Sequence, residues 1–528
     1  MLSLKKRVDN LKKKFNDNES LKIRYFSAFD RKFALLFFEE FADFDVVSSD
    51  ILKPIYDGED KYKNINFNKP IIIHKKIIKK NNTIKINTNV VKNNKKEYKT
   101  VKKDEFYSII AKFLAEKVLY SGEITSGKSE KDFINKLTRG EKVLLIEGVN
   151  EGLLINSKKL EKRAVIEPPN NNVVRGPREG FIEDINTNIN LIKKRLSTND
   201  LKIENLFIGR YTQTKVSILY LTSIADKKVV KKIKKRLKQI DIDGVLDSYY
   251  LQDYLEEKPN SIFKQIGFTE KPDIVVGKML EGRVVILVDG SPIALTLPFL
   301  LIEDLQASED YYEENTKVSF LRLLRLLGLI LALTMPGIYI SMQLYHYKAL
   351  PLKFLVTLIN SSQNIPMPPA IEVLFAFFMF EILYEASVRT PKSLGSSFNI
   401  IGALILGDTA VKSNLASAPT IMIVALSSIA IYLIPEGTKV LRILRFLLTL
   451  MGTIMGIVGI CIGLIFVFAY LCDFDSYGAE YMSPMAPYVT NDFKDFIFKG
   501  NIKNMRERPN SFKQKNIIRQ GVKDDDKE

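Results

Sequence analysis

The chain has 528 residues, 46% of them hydrophobic and 26% charged, and a formal net charge of +17 at pH 7. Two histidines (His74, His346) and two cysteines (Cys461, Cys472) exclude a multi-histidine metal site, a four-cysteine zinc site and a disulfide framework, and nearly exclude serine–histidine and cysteine–histidine triads. Neither an enzyme nor a cofactor is expected, and the charge is unevenly spread: most of it lies before residue 320, while several long apolar runs fill 326–472.

In chain order, the opening MLSLKKRVDNLKKKF has no apolar signal core, so the N-terminal part is expected in the cytoplasm. Leu21–Phe26 reads as a strand and Arg31–Ala42 as a helix. Lys61–Lys103 holds fourteen lysines, nine asparagines and one acid, Glu97, so +13 of the charge sits in one low-complexity insertion. It suits either an arm for anionic lipid or nucleic acid or a plain solvated loop. Few aromatics interleave the lysines and no nucleic-acid-binding pattern accompanies them, so no nucleic-acid partner is expected. Ile71–Ile73 and Thr83–Val91 could form edge strands. Phe106, Ile109, Ile110, Phe113, Val118 and Leu119 recur at helical spacing; Lys131–Leu137 continues as a short helix, and Lys142–Ile146 pairs with Gly152–Leu154 as strands.

Gly122-Glu-Ile-Thr-Ser-Gly127-Lys128-Ser129 fits the phosphate-loop string GxxxxGK[ST]. Such a loop works when a buried strand delivers it to a helix N-terminus. Here the amphipathic helix 105–119 precedes it, so a helix–loop–helix order and no nucleotide site are expected.

Glu167-Pro168-Pro169 marks the end of a first α/β subdomain (1–168) that carries the 61–103 insertion. A second α/β subdomain is expected over 169–300. Its reading is a helix over Phe181–Leu196, strands over Leu206–Tyr211 and Val216–Thr222, a lysine-rich helix over Val229–Gln239, and a hairpin of Gly282–Leu287 and Ile293–Leu297 about Asp289-Gly290.

A polytopic α-helical membrane domain is expected over 301–472, followed by a basic cytoplasmic tail (473–528). Leu326–Tyr345, Pro369–Val388, Leu415–Pro435 and Phe446–Leu471 are long and apolar enough to span. Leu350–Ile359 and Ser396–Val411 read as shorter, partial segments. With four spans, Lys439, Arg442 and Arg445 fall on the outer side, against the rule that basic residues stay inside. The crossing number therefore stays open.

Three groups of residues here carry chemistry. Glu372, Glu381 and Glu385 share one span with Arg389 at its end; the last three are four apart and face one way. Such a charge network either borders an ion path or pairs structurally. Asn399, Ala403, Gly407 and Ala410, flanked by Leu406 and Val411, form a small polar-edged stripe that suits a pore lining or close packing. Gly452, Gly456, Gly459 and Gly463 fall on one helix face, as helix packing requires.

Several strings resemble the spore germination receptor A subunits of the GerA family. They are Arg175-Gly-Pro-Arg-Glu-Gly-Phe-Ile-Glu, Glu281-Gly-Arg-Val-Val-Ile-Leu-Val-Asp-Gly-Ser-Pro, Phe380-Glu-Ile-Leu-Tyr-Glu-Ala-Ser-Val-Arg-Thr-Pro-Lys, Ile401-Gly-Ala-Leu-Ile-Leu-Gly and Tyr481-Met-Ser-Pro-Met-Ala-Pro. The resemblance covers roughly 105–520 and departs in the Lys/Asn-rich insertion. It implies a nutrient germinant receptor subunit of the spore inner membrane, working with a transporter-like B subunit and a lipoprotein C subunit. It further implies a homo-oligomer, with a pentamer expected, that forms a nutrient-gated cation channel. The rival readings are a secondary transporter or permease subunit, and a non-conducting scaffold or signal relay.

Overall fold

The computed structural model describes residues 3–42, 44–61, 111–119, 123–156, 175–390 and 407–520. The insertion's expected edge strands and the Pro-rich boundary at 167–169 lie outside these.

The first subdomain opens with α1 (Leu4–Lys14), capped by the Ser3 hydroxyl. Strands β1 (Leu21–Ala28) and β2 (Arg31–Phe38) then form a hairpin about Phe29 and Asp30, both at positive φ. The helix expected over Arg31–Ala42 is therefore a strand. Its Phe-Ala-Leu-Leu-Phe-Phe run is buried at every position because β2 lies inside the sheet with both faces covered, which erases the alternation that marks a half-exposed strand. Helical turns α2 (Phe44–Val47) and α3 (Lys53–Lys61) follow, then β3 (Glu123–Gly127), α4 (Glu130–Thr138), β4 (Lys142–Ile146) and β5 (Gly152–Asn156). The antiparallel sheet has the order β1-β2-β4-β5-β3.

The second subdomain repeats this plan: α5 (Ile185–Arg195), β6 (Leu201–Ile208), β7 (Thr214–Leu221), α6 (Lys227–Lys238), α7 (Ser248–Leu255), β8 (Gly267–Thr269), α8 (Pro272–Leu280), β9 (Val284–Val288) and β10 (Ala294–Leu297). The order β6-β7-β9-β10-β8 is the first sheet's order strand for strand. Asp184 caps α5 through the Thr187 amide, so that helix starts later than the expected Phe181. The two subdomains meet through buried Lys193, which pairs with Glu40 at 2.7 Å and stands 3.9 Å over the Phe38 ring.

A helical bundle follows: α9 (Asn315–Leu344), α10 (Leu352–Ser362), α11 (Pro369–Arg389), helical residues 407–412, α12 (Ala418–Ile431) and α13 (Thr438–Cys472). Two segments among the described residues, Asn315–Leu344 and Pro435–Cys472, are long and apolar enough to cross a membrane, where four were expected. The helix within the expected span Leu415–Pro435 has only 14 residues, about 21 Å of rise. The helix over Pro369–Arg389 has 21 residues but carries three glutamates and an arginine.

The second of these segments is not straight. Gly456 has φ 66° and ψ −149°, which breaks α13 into arms 438–455 and 457–472. The arms fold back on each other: a Cβ at Gly463 would stand 2.7 Å from Leu448 Cδ2 and 2.8 Å from Met451 Sδ. In one continuous helix those fifteen residues would span about 22 Å. Leu444 and Leu471, from opposite arms, join one cluster with Phe263 and Phe299 of the second subdomain. Both ends of α13 thus stand at the near end of the bundle, beside the sheets, and Gly456 marks the far end.

The segment after Cys472 is built into the second subdomain. Tyr477 joins the core under α6 and α7, and Tyr481 donates to the Lys264 carbonyl at 2.8 Å.

Candidate functional site

Two polar assemblies hold the bundle, one at each end. The near-end assembly joins sheet, linker and helices. Glu303 forms ion pairs with Arg283 at 2.6 Å and Lys278 at 2.8 Å, and accepts from the Leu300 amide at 2.7 Å. Burial works to raise its carboxyl, but Arg283 and Lys278 outweigh that and hold it at about 2. Beside it, Lys264 sits between Asp304, at 3.5 Å, and Glu436 of the turn that opens α13. Burial, with Glu436 adding its charge, pushes Asp304 up to about 6 against the pull of Lys264. Next, Arg322 and Asp310 pair at 2.9 Å with both side chains 1% exposed. Arg325 adds contacts to Asp310 at 2.8 and 3.0 Å, and Arg322 reaches Asp495 of the C-terminal segment at 2.8 Å. None of these residues was singled out as a site in the sequence. The runs of charge around 303–325 were the available signal, but their partners come from positions up to 173 residues away.

The far-end assembly contains Glu372, in the first turn of α11. Its carboxylate accepts from the Ser417 amide at 2.7 Å and the Ser417 hydroxyl at 2.6 Å, and so closes the N-terminus of α12. Thr420 and Tyr339 lie 3.1 Å apart, hydroxyl to hydroxyl, in the same knot.

The expected charge network is therefore not one unit. Glu381 turns away from Glu385 and pairs with Arg442 of α13 at 2.9 Å. Glu385 and Arg389 pair with each other at 2.6 Å, exposed by 58% and 79%. These three groups lie towards the near end, while Glu372 lies towards the far end, because α11 runs from far to near.

Of the pore-lining candidates, Asn399, Ala403 and Leu406 lie outside the described residues. Gly407, the first described residue of the helical stretch 407–412, lies beside Ile421, Ala410 is buried, and Val411 is half-buried. The four glycines do not share one straight face, since the chain reverses at Gly456. Gly452 packs on the Gly337 backbone of α9, where a Cβ would meet the carbonyl oxygen at 2.9 Å. Gly459 and Gly463 let the second arm of α13 close on Met451 and Leu448 of the first.

The phosphate-loop string proves to be a strand and a cap. Glu123–Gly127 is edge strand β3, paired in register with β5, so its amides serve the sheet on one side. Ser129 caps α4 through a capping box with Asp132, and Lys128 pairs with Glu151 at 3.1 Å. The expected helix–loop–helix order gives way to strand and helix, yet the string supplies no loop of free amides for a phosphate.

A family profile described as "Bacillus/Clostridium GerA spore germination protein" matches residues 9–511. The chain is 34% identical over 410 residues to "Spore germination protein KA" of Bacillus subtilis (strain 168), covering 77% of this chain and 75% of that protein. It is 37% identical over 394 residues to "Uncharacterized membrane protein YfkQ" of the same organism, covering 74% and 77%. The crystal structure of the N-terminal domain of the A subunit of the Bacillus megaterium spore germinant receptor GerK3 aligns at 25% identity with a TM-score of 0.37, covering 56% of this chain and 94% of that chain. By the length of the profile match and of the match to protein KA, the chain belongs to the GerA family of spore germination proteins.

Proposed function

We propose that the chain is the A-type subunit of a nutrient germinant receptor. In this reading it lies in the spore inner membrane with its sheets on the cytoplasmic side and works with transporter-like B and lipoprotein C subunits. Copies assemble around a central path, with a pentamer the expected ring, and the nutrient signal opens that path to cations. The segment 399–411 lines it, and Leu406 or Val411 closes it by bulk.

The observation that carries the membrane part is the fold-back of α13. Its two arms leave large apolar side chains outward, among them Ile454, Val458, Ile465 and Phe466, all more than half exposed. The arms return the chain to the sheets. That arrangement keeps Lys439, Arg442 and Arg445 on the same side as the sheets and the basic tail, which removes the charge conflict of the four-span reading.

The test is the conductance of the purified chain in planar bilayers. Unitary cation currents are expected, and Leu406→Ala or Val411→Ala should add leak. Substrate-dependent flux without unitary currents would replace the channel by a transporter. Silence in both assays, with normal receptor assembly, would leave a signal relay.

A further inference from the structure

We propose that the far end of the bundle binds a monovalent alkali cation between the Glu372 carboxylate and the hydroxyls of Ser417, Thr420 and Tyr339. This rests on the reading that the bundle lies in a membrane. Three helices converge there: Tyr339 comes from α9, Glu372 from α11, and Ser417 and Thr420 from the start of α12. Glu372 is 1% exposed. Its Oε1 takes both Ser417 donors, and its Oε2 has no hydrogen-bond partner among the described residues. The Ser417 hydroxyl lies 2.9 Å from Thr420 Oγ1, and Thr420 lies 3.1 Å from the Tyr339 hydroxyl.

A buried carboxylate needs a counter-charge. Of the cations on the neighbouring elements, Arg389 pairs with Glu385, Arg442 with Glu381, Lys412 with Asp408, and Arg445 contacts Ser427 and Ser428, while Lys348 and Lys353 are exposed to solvent and form no ion pair with Glu372. Ser427 is seven residues beyond Thr420, about 10 Å along α12. The helix N-terminus offers only about half a charge. What remains is one negative charge beside neutral hydroxyl oxygens, which matches an ion of charge +1. Divalent ions ask for more: six to eight oxygens for calcium, and octahedral geometry for magnesium.

The experiment uses the full chain in lipid nanodiscs. Its thermal midpoint is measured in potassium, sodium or N-methylglucamine chloride at equal ionic strength and pH. The expected result is a higher midpoint in an alkali salt, by a few degrees. Glu372→Gln keeps an oxygen for both Ser417 donors and removes the charge, so the variant should fold and ignore the alkali ion. Thr420→Val keeps the charge and removes one ligand oxygen, so it should need more salt for the same shift; it serves as the test if Glu372→Gln does not fold. A wild-type midpoint that ignores the cation overturns the site. So does an unchanged response in Glu372→Gln, or a rise produced by acid alone, which would make the ligand a proton. Because the readout is binding, a silent bilayer leaves this site standing, and a conducting chain with no alkali response sinks it alone.

Discussion

The Tyr345 hydroxyl stands 2.8 Å from the Thr453 carbonyl oxygen and 2.9 Å from that of Ile454, in the last turn before the chain reverses at Gly456. A helix end leaves its final carbonyls without intrahelical donors. Tyr345, at the end of α9, supplies one from the neighbouring helix and so ties the hairpin tip to the bundle.

Gly456 should be the least replaceable residue of that tip. An alanine there would hold a left-handed φ and bring its Cβ to 3.1 Å from the Tyr345 ring and 3.2 Å from Ser341 Oγ. Gly456→Ala is expected to cost about 1–3 kcal/mol, read as a lower thermal midpoint. Met455→Ala, at a half-exposed position, should change stability by less than about 0.5 kcal/mol. Equal effects would mean the reversal does not depend on this glycine.

The fold-back makes a topological prediction. In a Cys461→Ala background, native Cys472 and an introduced cysteine at Lys439 should react with an impermeant thiol reagent from the same side of sealed vesicles. A cysteine at Met455 should react from the other side. Labelling of 439 and 472 from opposite sides would require a single straight span.

Asp310 should matter far more than Glu385. Asp310→Asn leaves Arg322 and Arg325 facing a neutral group inside the near-end assembly, and removing one partner of a buried pair typically costs about 3–5 kcal/mol. Glu385→Gln breaks a pair exposed by 58% and 79%, and such pairs are worth about 0–1 kcal/mol. Subunit abundance and denaturant midpoints of the two variants check the ranking.

Asp304 gives the near end a pH dependence of definite sign. Its folded carboxyl is raised from the ordinary 3.8 to about 6, so the folded chain holds a proton there that the unfolded chain releases. That contribution is fully present below about pH 4 and is lost as pH rises through about 6. Glu303 acts the other way: its folded value of about 2 is below the ordinary 4.5, so its contribution is fully present above about pH 4.5 and is lost as pH falls from there through about 2. Stability should therefore rise between pH 7 and 5 and fall in stronger acid. In Asp304→Asn the rise between 7 and 5 should be smaller, as measured by denaturant midpoints across pH. The same rise in the variant would assign it to another group.

Lys128→Ala should leave nucleotide behaviour unchanged, because the residues before it are paired in β3 and Ser129 is spent as a helix cap. Isothermal titration with magnesium and ATP should give no heat for either protein. Saturable binding lost in the variant would restore the phosphate-loop reading.

Local signals in the sequence identified the α/β character of the first 300 residues, the positions of α5, β7, α6 and the β9–β10 hairpin in the second subdomain, and the apolar bundle. Each follows from periodicity and turn chemistry within about ten residues. β6 lies five residues earlier than the expected Leu206 start, and α7, β8 and α8 were not anticipated. β2 escaped because a strand buried on both faces loses its alternation. The repeated strand order escaped because it depends on which strands pair. Of the site residues, Glu372 and the Glu381–Arg389 group were visible as charges inside apolar runs, and the glycines as a spacing. Their partners were not, since Ser417 and Arg442 lie 45 and 61 residues from the carboxylates they bind. A charge in a sequence states that a partner is needed, and only the folded chain selects which one. The same holds for Gly456: spacing marks it as one glycine of four, and the tertiary structure makes it the point of reversal, because it alone of the four sits where the two arms of α13 meet Tyr345.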